Sequence, residues 1–259
     1  DTLAFIKTNK DLFKKTTPNG SFKPPATKEI YFKLLSKNVP HVEIPGTQYW
    51  NKLVHRNLLN WNDIWATSFQ DHSPNHIHEA LWKLRHKVYI TCEFMSNSLR
   101  NLHKPKNLPS ADACRACRKH RETFMHCFAE CEIPSFLWSK ITPLIQGILN
   151  TTNSLKQPHL MLGDLSEYTD RSISQRKLTT TLIAHAVYVI WTTRCRIFHE
   201  NSSDTPIQTW QTLRRLLKSL INIKYQIAKQ QQKVETFKEK FLINSSLGAI
   251  SHGTLITHF

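Results

Sequence analysis

Apolar residues along this chain recur at helical spacing, and no stretch keeps the alternation of a half-buried strand. Thr27 is suited to cap a helix carrying Ile30, Tyr31, Leu34 and Leu35 on one face. Pro40 and Pro45-Gly46 read as turns. Trp50, Leu53, Val54 and Leu58 suggest a short helix, and Trp61, Ile64, Trp65 and Phe69 a second aromatic stripe of core type. Ile77 to Tyr89 predicts a helix with Ile77, Leu81, Leu84 and Val88 inward. Thr91 is placed to cap the next helix, with Glu93 in its first turn. Beyond the loop at 104–110, Glu122–Phe128 is expected to be helical and then to break. A further helix starts around Pro134, with Trp138, Ile141, Ile145 and Ile148 inward.

The second half continues in the same way. Asn150–His159 is a polar connection and the expected boundary between two regions. A long helix is predicted from about Ser174 toward Phe198. It is apolar almost all round from Leu182 to Trp191, so it is read as central and buried. Thr205, Pro206 and Gln208 form a capping-box signal for a helix through Trp210, Leu213, Leu217, Leu220 and Ile227. The expected organisation is a lead-in at 1–26, a domain at 27–150, a C-terminal helical region at 151–243 and a loosely attached tail at 244–259. The class is mainly α.

Chemistry concentrates in one run, C-R-A-C-R-K-H-R-E-T-F-M-H-C-F-A-E-C, from Cys114 to Cys131. Cys114 and Cys117 form a C-x2-C turn, and His126 and Cys131 complete a C-x2-C-x8-H-x4-C spacing. Three thiolates and an imidazole make a closed tetrahedral set of the kind structural Zn²⁺ prefers, with no position left for a reacting water. Cys127 and His120 lie in the same run; Cys127 adjoins His126 and cannot easily share its ion, so it is read as buried or free. In one continuous α-helix His126 and Cys131 would sit about 140° apart, which is why a break is expected between them. His72, His76 and His78 are read as exposed, because Pro74 interrupts any shared helix face.

The run resembles the zinc-binding domain that follows the reverse transcriptase in LINE-type (non-LTR) retrotransposons. The flanks carry the resemblance as well: L-W-K-L-R-H-K-V-Y-I-T at 81–91, Glu122-Thr123 ahead of His126, and I-P-S-F-L-W at 133–138. More loosely, A-V-Y-V-I-W-T-T-R-C-R at 186–196 is similar to a Trp-x-x-Arg helix found downstream in the family, with Cys195 where many relatives carry Asn. The resemblance implies a helical domain built around a CCHC zinc site, followed by a helical C-terminal region. It also implies a non-catalytic role in target-primed reverse transcription, beside the reverse transcriptase domain of the same polyprotein. Asp1 in place of an initiating Met agrees with a piece of a longer product.

Composition and charge point the same way. The chain has 259 residues, 40% of them hydrophobic, and seven Trp, which argues for a folded core. Its formal net charge of +16 points to a polyanion, RNA or DNA. The candidate phosphate contacts are Arg115, Arg118, Lys119 and Arg121 around the zinc loop, and Arg214, Arg215 and Lys218 further on. Phe124 and Phe128 are candidates for base stacking or for packing the metal core. Six clustered cysteines fit a metal site in a reducing compartment, nucleus or cytoplasm, better than a disulfide scaffold. No run reaches the about 18 apolar residues of a membrane span. A polymerase would need paired aspartates for Mg²⁺, and no Asp-Asp occurs. Asp164, Glu167 and Asp170 offer weak support for a nuclease or RNase H-like alternative. A degenerate element fragment that binds proteins is the remaining reading.

Overall fold

The computed structural model describes residues 45–54, 59–66, 73–100 and 112–259. The lead-in at 1–26, the helix expected after Thr27, Pro40, Leu58, Phe69 and His72 lie outside them. The mainly α class holds. Among the described residues the helices are α1 (Pro45–Leu53), α2 (Trp61–Ala66), α3 (Asn75–Arg85), α4 (Cys92–Arg100), α5 (Glu132–Leu149), α6 (Gln157–Leu162), α7 (Ile173–His199), α8 (Pro206–Gln230) and α9 (Val234–Phe241).

Helix α7 is the axis of the core, as its all-round apolar pattern predicts. Leu178, Leu182, Ile183, Ala186, Val187, Val189 and Ile190 are buried on several sides of it. It packs against α3, α5 and α8. Its start is held by a capping box: Ser172 Oγ accepts from the Gln175 backbone N–H at 3.2 Å, and the Gln175 side chain accepts from Ser172 N–H at 2.9 Å. Thr205 and Gln208 repeat the device at α8, with Pro206 in the first turn. Because α5 and α7 share one core, residues Pro45–Phe259 form a single compact unit. The polar stretch after 150 links helices of that same unit.

Several expectations change with tertiary context. Pro45-Gly46 begins α1 instead of marking a turn. Gly46 lies so close to the carbonyl of Arg85 that any Cβ would collide with it. Helix α3 ends at Arg85 and Lys87 adopts φ 53°, so the helical phase is lost and Val88 is exposed. Arg85, not Val88, completes the inward face. It is fully buried, donates from Nε to the Leu162 carbonyl at 2.9 Å, and burial lowers its pKa to about 9. In α8 the buried row runs Leu213, Leu217, Ile221, Tyr225 and Ala228, leaving Leu220 half-buried and Ile227 exposed. The tail is not loose. Gly248–Ser251 and Thr254–Thr257 pair antiparallel around His252 and Gly253, both at positive φ, as a tight hairpin requires. Tyr225 Oη donates to the Gly253 carbonyl at 2.8 Å, and Leu247 and Phe259 are buried.

His185 lies in α7 with its Nδ1 2.8 Å from the Thr181 carbonyl. Burial lowers its pKa to about 4, and the nearby His78 and His76 push in the same direction. The unfolded chain therefore takes up this proton before the native state does. Stability from the neutral ring is complete above about pH 6.5 and is lost as pH falls toward 4, at up to about 1.4 kcal/mol per pH unit. Melting temperature should fall between pH 6.5 and 5, and His185→Gln should flatten that dependence; an unchanged slope would show that His185 does not set it.

Candidate metal centre

The four proposed ligands come from two local structures. Cys114 and Cys117 occupy a knuckle closed by two backbone bonds, Cys114 N–H to the His120 carbonyl and Arg118 N–H to the Cys114 carbonyl, each 2.8 Å. Arg118 takes φ 56° to make the turn, and Ala113 pairs with Arg121 across its base. His126 and Cys131 come from the segment that follows. Instead of breaking, the chain makes a π turn at His126–Glu130, in which Cys131 N–H donates to the His126 carbonyl at 2.9 Å. An i→i+5 bond brings residues five apart onto one side, which an α-helix does not do. Thr123 Oγ1 accepts from the His126 backbone N–H at 3.0 Å, holding the entry to the turn. Cys131 then adopts φ −61° and ψ 153° as the N-cap residue of α5.

The donor atoms of Cys114, Cys117, His126 and Cys131 all lie within 4.8 Å of one another. The Cys114 and Cys131 sulfurs are 3.8 Å apart, and the Cys117 sulfur is 3.4 Å from His126 Nε2. Two metal–sulfur bonds of about 2.3 Å at a tetrahedral angle give an edge of about 3.8 Å, so this donor set fits a four-coordinate ion. The Cys114 thiol is pulled down to about 5 by the hydrogen bond from Cys131, helped by the backbone N–H groups of Cys117 and Ala116, and that bond pushes Cys131 up. Among the described residues no other group of His, Cys, Asp and Glu meets this geometry. Cys127 points elsewhere: it is buried in the core, and burial raises its thiol pKa. All six cysteines are free.

Behind the ligands lies a buried ion pair that sequence patterns do not announce. Glu122 Oε1 accepts from Arg194 Nη2 at 2.8 Å and from the Cys92 backbone N–H at 2.9 Å. The Glu122 and Arg194 side chains are only 2% and 11% exposed. The pair joins the knuckle's exit, the start of α4 and the end of α7. Phe128 packs under it, against Trp191 and Tyr89, and its carbonyl accepts from Trp138 Nε1 at 2.8 Å.

The seven candidate cations separate into different environments. Arg115 is committed to α7: its Nη1 donates to the Phe198 carbonyl at 2.9 Å, and its guanidinium lies 4.0 Å from the Phe198 ring centre. Arg121 is paired with Asp112 at 3.0 Å and Glu93 at 3.5 Å. Arg118 and Lys119 are exposed, and among the described residues no ion pair involves them. Arg215 is exposed on α8, while Arg214 and Lys218 are half-buried beside it. Phe124 and Phe128 are buried in ring clusters with Tyr49, Trp50 and Trp191, which removes both from any base-stacking role. No protein-family model, curated protein or solved structure matches the chain.

Protein purified without added metal should carry close to one equivalent. Cys114→Ser should lose it together with local protection from hydrogen exchange, whereas Cys127→Ser should keep it. Retention of the full equivalent by Cys114→Ser would refute this ligand set. Removing Arg194 strands a buried carboxylate, so Arg194→Met should destabilise the fold by about 3–5 kcal/mol in denaturant titrations. The double substitution with Glu122→Leu should recover part of that loss.

Proposed function

We propose that this chain is a zinc-stabilised nucleic-acid-binding module of a LINE-type retroelement polyprotein, itself non-catalytic, which holds template RNA or target DNA for the adjoining reverse transcriptase domain. The observation that carries the reading is the closed set of three sulfurs and one imidazole within 4.8 Å, in a chain of net charge +16. Four protein donors leave no coordination position for a reacting water, so the ion's work is to hold the loop. Zn²⁺ is the ion that best suits three thiolates and an imidazole in tetrahedral array. Bound there, it contributes folding free energy and a fixed local charge of about −1.

The residues that carry the family resemblance support the reading through their contacts. Glu122 meets Arg194, Thr123 holds His126, Trp191 stacks on Phe128, and Trp138 binds the Phe128 carbonyl. Asp164 and Asp170, acidic residues offered for a metal-dependent nuclease, have partners within the protein. Asp164 is buried, 2.9 Å from His159 Nδ1, and accepts from Ser166 N–H, while Asp170 lies beside Arg171.

Arg118 and Lys119 project from the metal knuckle and are the side chains placed to meet phosphate. Arg118→Ala with Lys119→Ala should lower affinity for RNA and single-stranded DNA, leave metal content unchanged, and reduce the salt slope by up to about two. The test is a binding titration at several salt concentrations. Equal affinity and slope in wild type and variant would remove the knuckle from the interface and leave Arg214, Arg215 and Lys218 as the cationic surface.

A further inference from the structure

A groove of about 510 Å³ opens beside the metal centre. Glu132, Ser135, Phe136 and Ser139 line it from α5, at the i, i+3, i+4, i+7 spacing of one helix face. Lys119 and His120 of the knuckle line it too, with Glu130 from the π turn and three of the metal ligands. Phe136 is half-buried, with Lys140 Nζ 5.2 Å from its ring centre, so it is an aromatic of this region that the core does not consume.

The lining asks for three things at once. Lys119 and His120 favour an anion. Glu130 and Glu132 favour hydrogen-bond donors and, together with the thiolate-rich metal site, oppose a bare anion such as phosphate or sulfate. Phe136 offers a flat apolar surface. A nucleotide of a single strand satisfies all three: phosphate for the cations, a base amine for a carboxylate, and a π face for the ring. The volume suits a ligand of that size. A duplex does not, because its base faces are covered.

We infer that this groove seats one nucleotide of single-stranded RNA or DNA, its base against Phe136 and its phosphate toward Lys119 and His120. The inference rests on the nucleic-acid reading above and adds a base-dependent contact to a surface otherwise defined by charge.

The test compares an oligodeoxycytidine strand with an abasic strand of the same length, at fixed salt. The base-bearing strand should bind about tenfold more tightly, and Phe136→Ala should close that gap without changing abasic affinity, salt slope or metal content. Equal affinity of wild type for the two strands, both salt-dependent, would overturn the groove assignment while the charge-based reading stands. Binding of neither strand at low salt would overturn both. A gap that survives in Phe136→Ala would place the base elsewhere. Should Phe136→Ala lose its metal, Ser135→Trp replaces it: this exposed α5 position fills the groove, and the gap must close there too for the inference to hold.

Discussion

The geometry of the site depends on one backbone hydrogen bond, from Cys131 N–H to the His126 carbonyl. A regular α-helical turn would point these two ligands about 140° apart. The π turn returns the chain to the same side after five residues, so an imidazole and a thiolate meet the C-x2-C knuckle. The same bond ends the turn and frees Cys131 to start α5, whose inward face joins the main core. The convergence of the four donors and core packing are thus set by one local irregularity. It is a structure with poorer intrinsic stability than an α-helix, sustained by the contacts on either side.

Those contacts are partly electrostatic. Glu122 and Arg194 meet across 72 residues of sequence in a nearly dry environment. Breaking such a pair is expensive because the stranded charge has no water to return to. Arg115 adds a second fastening by placing its cation at the C-terminal carbonyls of α7, where the helix dipole favours positive charge. The knuckle is therefore clamped to α7 by two arginines, one donated from each side. Among the described residues, this sorting separates the cations that have partners in the fold from those that do not. Arg115 and Arg121 serve the fold, while Arg118 and Lys119 face outward.

The proposed role relates charge to function in two layers. In the proposed role, a surface of cations on a net-positive chain draws nucleic acid without reading its sequence. Beside it, Phe136, Glu130 and Glu132 line the groove proposed to seat a base as well as a phosphate.

The sequence by itself determined the helical class, the capping box of α8, the buried character of α7 and the four residues that cluster as candidate ligands, because each is written in local spacing or local chemistry. Cys-x2-Cys spacing, an N-cap Thr with Gln three residues on, and an all-round apolar run need no distant partner to be read. Tertiary structure decided the rest. Arg85 took the inward place expected of Val88 because α3 ended early and its phase was lost. The tail at 244–259 became a hairpin because Tyr225, on α8, supplied a donor for its turn. Phe124 and Phe128 went to the core and Phe136 to the groove, although all three are phenylalanines near the same metal site. Glu122 found Arg194 only when α7 was packed behind the knuckle. Spacing specifies which residues share a face of their own element; what that face meets is set by the packing of elements far away in sequence.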